Sequence, residues 1–137
     1  MGALIIKSDI SELGKIRKYL KNGLKRIDIS DEEYYMIELS LLEICINIIR
    51  YAYPHQSQGE IILKSWLEDK KIFLEIRDDG IHFDPRKSEK PNIDEIIKQK
   101  KKGGLGIFIS RKFMDGFNYK RENNQNILVI YKEIGGL

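Results

Sequence analysis

The stretch from Ser30 to Tyr53, SDEEYYMIELSLLEICINIIRYAY, constrains this chain more than any other. Ser30 followed at the third position by Glu33 has the form of a capping box and predicts a helix from about Asp31 onward. From Leu41 to Ile49 nearly every residue is apolar, the exceptions being Glu43 and Asn47. Four positions apart on a helix, these two share one face, and Ser40 and Arg50 continue the stripe in both directions. Two readings of it stand. The stripe is the narrow wet side of a mostly buried helix, or it holds a carboxylate and an amide at fixed separation against a ligand cleft.

The remaining composition narrows the setting. A chain of 137 residues with 42% apolar content predicts a single domain, 1–137, around one core, and 33% charged residues fit a soluble globular chain rather than a disordered one. The net charge of +3 is modest, and lysine and arginine are dispersed apart from the run Lys98–Lys102, so no direct nucleic-acid partner is expected. The single cysteine, Cys45, lies within the apolar part of the helix, where a small buried hydrophobe is the expected role. With no second cysteine there is no intrachain disulfide, which fits a reducing compartment. The opening MGALIIKSD lacks the apolar core of a signal peptide and no apolar run is long enough to span a bilayer. A cytoplasmic protein without a membrane partner is the expectation.

Taken in order, Ala3–Lys7 reads as a first strand. Ser8, Asp9 or Ser11 caps a helix to about Asn22, with Gly23 as its stop. Pro54 closes the central helix. Glu60–Trp66 and Lys71–Arg77 read as a hairpin, the second strand alternating Ile72, Leu74 and Ile76. A polar segment of about 84–103 follows, with one short helical pattern at Asn92–Lys101; a polar stretch of that length often marks a lid or binding loop. After it comes a helical run from Ile107 to Met114. Phe117–Arg121 and Ile127–Tyr131 form a last hairpin, whose Asn123 and Asn124 can take left-handed angles. Helices and mostly antiparallel strands segregate along the chain, which predicts an α/β (α+β) two-layer sandwich.

Two further constellations join the Glu43/Asn47 stripe. Asp78-Asp79-Gly80 ends an apolar strand abruptly, placing a carboxylate at the rim of the sheet. A carboxylate can accept from an exocyclic amine, and glycine allows a flat ring close to the main chain; an ordinary acidic turn is the other reading. Gly103-Gly104-Leu105-Gly106 precedes a helix, where successive main-chain amides can face an anion, with Lys100, Lys101 and Lys102 adjacent. It lacks the lysine and hydroxyl ending of a Walker loop and does not directly follow a strand; a hinge is its alternative. Together the three supply parts of a magnesium-nucleotide site.

The order Glu43-x-x-x-Asn47, Asp78-x-Gly80, Gly104-x-Gly106 resembles the ATP-binding superfamily of histidine kinases, type II topoisomerases, Hsp90 chaperones and MutL-like proteins. Within it the chain is most similar to the small bacterial anti-sigma factors that are serine/threonine kinases. That narrower likeness rests on Asn47-Ile48-Ile49-Arg50-Tyr51-Ala52-Tyr53, Phe83-Asp84-Pro85, Gly103–Ile109 and Met114-Asp115. The resemblance implies a Bergerat-type fold, a mixed, mostly antiparallel sheet with helices on one face and ATP beneath a lid. It implies that Asn47 coordinates Mg²⁺, Glu43 acts as general base, Asp78 accepts from the adenine amine and Gly80 lets the ring approach. The loop Gly104, Leu105 and Gly106 would bind the phosphates. The implied substrate is an anti-anti-sigma factor, with a sigma factor as competing partner and homodimers common. A module that binds ATP without turnover is the alternative. Two positions depart from the pattern: His82 stands where a second glycine is usual, and Tyr51 where many relatives carry histidine.

Overall fold

The computed structural model describes residues 2–53, 58–82 and 110–135. Its elements are β1 (Ala3–Lys7), α1 (Leu13–Leu24), α2 (Asp31–Tyr51), β2 (Glu60–Glu68), β3 (Lys71–Asp78), β4 (Gly116–Glu122) and β5 (Gln125–Glu133). The polar segment 84–103, the helical pattern at Asn92–Lys101, the Gly103–Gly106 loop and Pro54 lie outside the described residues.

Asp9 begins the first helical region by accepting the Ser11 amide on Oδ1 at 2.9 Å, opening a 3-10 turn at Ile10–Glu12 that leads into α1. The expected stop at Gly23 is overridden: α1 runs through it to Leu24. Leu24 lies one turn beyond Leu20 on the face that also carries Ile16, and all three are buried. Burying a leucine contributes about 1.5–3 kcal/mol, more than the roughly 1 kcal/mol that a glycine costs inside a helix.

The capping box forms at the start of α2. Ser30 Oγ accepts from Glu33 N at 3.0 Å, and Glu33 Oε1 accepts from Ser30 N at 3.1 Å. The other Glu33 oxygen takes the Gly135 amide at 3.1 Å, tying the chain beyond β5 to the root of α2. At the far end the helix stops just before Ala52, whose N–H donates to Ile48 O at 2.9 Å.

The five strands form one sheet in the order β1-β2-β3-β5-β4, and every pairing is antiparallel. β2 and β3 turn through Asp69 and Lys70 with φ of 50° and 59°; β4 and β5 turn through Asn123 and Asn124 with φ of 52° and 61°. Two successive left-handed residues match the twist of the flanking strands. The alternation read from the sequence sets the layers: Ile61 and Leu63, then Ile72, Leu74 and Ile76, then Leu128 and Ile130 point into the core that Ile37, Leu41, Ile44 and Ile48 of α2 fill from the helical side. The two-layer α/β arrangement is therefore present, with a wholly antiparallel sheet among the described strands.

Candidate functional site

α2 carries the polar stripe past the sheet, and the stripe is wet only at its end, where Arg50 is exposed. Ser40 is fully buried, Asn47 is 2% exposed and Glu43 is half-buried. Among the described residues Ser40 Oγ has no hydrogen-bond partner, while its carbonyl accepts from Ser110 Oγ at 3.4 Å. Asn47 Nδ2 donates to Glu43 O at 2.8 Å, so its amide is oriented by its own helix. An amide NH₂ only donates, so Oδ1 is the Asn47 side-chain atom that can meet a cation. Among the described residues no group of three or more acidic, histidine or cysteine side chains forms a metal cluster. A lone amide oxygen still suits Mg²⁺, which takes few protein ligands and completes its shell with water and phosphate.

β3 delivers Asp78 to the same half of α2. Its register opposite Ile61 and Asn126 places it on the inner, helix-facing side of the sheet, and it is 3% exposed. Burial raises the Asp78 carboxyl above the ordinary carboxylate range. Hydrogen bonds from Asn126 and from the Gly80 amide oppose that rise, Asp79 adds to it and Arg121 counters it. Both bonds fall on Oδ1, from Gly80 N at 2.9 Å and from Asn126 Nδ2 at 2.9 Å. On α2, Cys45 registers the closeness of this carboxylate: burial first, and the Asp78 charge second, push its thiol up to about 12. Such a thiol is structural and unreactive.

Gly80 has a packing cause that the sequence did not announce. A Cβ there would run into Ala52 O and Ala52 Cβ, and the next amide, Ile81 N, donates to Ala52 O at 2.8 Å. The glycine lets the chain leaving β3 press against the end of α2. Tyr53 fastens the same corner, donating to Asp79 Oδ1 at 2.6 Å, and burial pushes its phenol well above the usual range. His82, the residue in place of a second glycine, lies 5.9 Å from the Tyr119 ring, centroid to centroid.

The structure thus brings Asp78 and Gly80 to the C-terminal half of α2, which bears Glu43 and Asn47. Gly104, Leu105 and Gly106 fall outside the described residues. Sequence reasoning gave no site role to Asn126, Arg121, Tyr119 or Tyr53. A signal for Asn126 was present: it alternates with Leu128 and Ile130 on a strand face that should be apolar throughout.

The family model for the histidine kinase-like ATPase domain matches residues 6–132. The chain belongs to that family. Serine-protein kinase RsbW of Bacillus subtilis is 22% identical over 107 residues, covering 75% of this chain and 67% of the relative. RsbW of Listeria monocytogenes is 26% identical over 113 residues, covering 80% and 71%. An anti-sigma F factor of Bacillus licheniformis is 25% identical over 92 residues, covering 67% and 63%. Among solved structures, the RsbU and RsbW domains of a Mycobacterium tuberculosis protein superpose with a TM-score of 0.66 at 14% identity, over 98% of this chain and 33% of that one. A histidine kinase domain from Erythrobacter litoralis superposes with a TM-score of 0.60 at 18% identity, over 90% of this chain and 60% of that one. These likenesses show a histidine kinase-like ATPase fold. No helix among the described residues of this ATPase domain is long and apolar enough to cross a membrane.

Proposed function

We propose that this chain is an ATP-dependent serine/threonine kinase of the anti-sigma factor type, which phosphorylates a small anti-anti-sigma protein. The observation that carries the reading is the pair on α2, where a buried Asn47 is oriented by a bond to the Glu43 carbonyl one turn away. In a histidine kinase-like ATPase fold that pair lies where Asp78 also arrives. Relatives named serine-protein kinase RsbW and anti-sigma F factor support a serine kinase of the anti-sigma type.

In this reading Asp78 accepts a hydrogen bond from the adenine amine, and Gly80 keeps the main chain low beside the base. Asn47 would hold Mg²⁺ through its Oδ1, and the ion would supply positive charge against the phosphates. Glu43, half-buried and one turn from Asn47, takes the proton from the attacking hydroxyl. Gly104, Leu105 and Gly106 present main-chain amides to the phosphates. A sigma factor would compete with the substrate protein for this chain, and two copies would pair as a homodimer.

Calorimetric titration of ATP with and without Mg²⁺ tests the nucleotide half of the reading. The parent protein binds ATP with Mg²⁺, and Asp78→Asn weakens that binding because a carboxylate acceptor is partly replaced by a donor. Equal affinity in Asp78→Asn contradicts the adenine contact. Recovery of an antagonist-type protein on the immobilised chain in the presence of ATP tests the partner half.

A further inference from the structure

β5 places an amide where its neighbours on the same face, Leu128 and Ile130, are buried hydrocarbon. Asn126 is 4% exposed, and a buried amide is tolerated only when its bonds are made. Its Nδ2 donates to Asp78 Oδ1 at 2.9 Å and to Ile81 O at 2.8 Å. Its Oδ1 accepts from Tyr119 at 2.6 Å and from Arg121 NH1 at 3.1 Å. The amide cannot turn over: a flip would set oxygen against the Asp78 and Ile81 oxygens, and NH₂ against the Arg121 guanidinium, which only donates. The same Arg121 nitrogen donates to Gly80 O at 3.1 Å. The β4–β5 hairpin therefore grips both Asp78 and the two residues by which the chain leaves β3.

We propose that Asn126, held in one orientation by Tyr119 and Arg121, is a positioning residue for base recognition: with Gly80 N it saturates Asp78 Oδ1, so that Oδ2 alone is presented to a donor on the base. The inference rests on the ATP reading above and adds to it the device that aims the carboxylate. It also accounts for His82. Where side-chain bonds cap the Gly80 and Ile81 carbonyls, the bend does not depend on a second glycine to hold its course.

A functional consequence separates positioning from mere packing. With Oδ1 saturated, Oδ2 is a full acceptor for an amine while Asp78 is ionised and becomes a donor when the proton sits there, and the surroundings divide on that point. Among the described residues, burial and Asp79 favour the proton, whereas Asn126, Gly80 N–H and Arg121 favour the charge. The Cys45 thiol and the Tyr53 phenol, facing from α2 and its end, are both held neutral at ordinary pH. Removing the Asn126 donor lets Asp78 hold its proton to higher pH, and a protonated carboxyl offers a donor where an acceptor is required.

The test compares binding of Mg-ATP with that of purine riboside triphosphate, which lacks the 6-amine, from pH 5.5 to 8.5. At neutral pH the parent prefers ATP by about tenfold or more, the scale of one hydrogen bond to a charged group. On acidification Asn126→Ala loses that preference at a higher pH than the parent does. Asn126→Ser, which keeps a hydroxyl donor, lies between and serves also if the alanine variant fails to fold. A folded Asn126→Ala protein with the parent's ratio at every pH overturns the proposal. Carbon-13 titration of the Asp78 carboxyl without nucleotide is the second arm. A higher midpoint in the variants supports the coupling, and an unchanged midpoint overturns it whether or not ATP binds. A parent that binds neither nucleotide, with the midpoint still higher in the variants, overturns the ATP reading and the base-recognition role while leaving the Asn126–Asp78 coupling in place.

Discussion

The Asn47 side chain donates to the main-chain carbonyl of Glu43 at 2.8 Å, locking together the two polar residues of an otherwise apolar helical stretch. The bond points Nδ2 back along α2, and Oδ1 is the Asn47 side-chain atom that can meet a cation. Asn47→Ala should therefore cost about 1 kcal/mol of stability for the lost bond and abolish the Mg²⁺ dependence of ATP binding. Denaturant melts beside calorimetry with and without Mg²⁺ separate the two effects. A variant that keeps the parent's Mg²⁺ dependence contradicts the assignment.

Gly80 is predicted to be intolerant of any side chain. Gly80→Ala drives a methyl group into the Ala52 carbonyl and Cβ and should destabilise the fold by about 1–3 kcal/mol, the usual range for overpacking. Adding Ala52→Gly should restore only part of that loss, since the Ala52 main chain remains in the way. Full rescue in thermal melts would show that the side chain alone was the obstacle.

The first hairpin leaves stability unused. Asp69 and Lys70 both hold positive φ, a conformation that costs most L-residues about 1–2 kcal/mol. Replacing them with Asn-Gly should raise stability by about 0.5–1 kcal/mol, read as a higher denaturant midpoint at unchanged slope. The same exchange at Asn123-Asn124 should gain less, because asparagine already tolerates these angles.

This contrast shows what the sequence could reveal. Asn123-Asn124 announced its turn through its residue types, as Ser30 with Glu33 announced the start of α2. The alternation of Ile72, Leu74 and Ile76 revealed the inner face of β3. These signals are local, set within a few residues by main-chain preference or strand periodicity. Gly23 misled because its local preference to end a helix was outweighed by burial of Leu24. The Asp78–Asn126 bond, the Gly80–Ala52 contact and the Tyr53–Asp79 bond join residues distant in the chain. They exist only once β3 pairs with β5 and α2 lies across the sheet, so no motif in one segment carries them.

Glu33 supplies a pH dependence with a definite sign. The Ser30 amide, with Gly135 N–H also contributing, holds its carboxyl below the ordinary value of 4.5. The unfolded chain therefore takes up this proton first as pH falls, and the stabilisation, complete above the ordinary glutamate value, drains away below it. Glu33→Ala should be about 1 kcal/mol less stable at pH 7. The gap from the parent should narrow by pH 3 in denaturant melts; a gap that stays constant would assign the loss to packing alone.

The central claim is that this chain transfers phosphate with Glu43 as its base. The direct measurement is transfer of radiolabelled γ-phosphate from ATP to the co-purified antagonist protein, for the parent and Glu43→Gln, with nucleotide affinity measured on the same samples. A positioned base is worth about 10²–10⁴ in rate. The account predicts labelled serine or threonine with the parent and a loss of that order in Glu43→Gln, at nearly unchanged Mg-ATP affinity. Transfer at the parent's rate in Glu43→Gln would contradict the role of Glu43, and absence of transfer by an ATP-binding parent would contradict kinase activity itself.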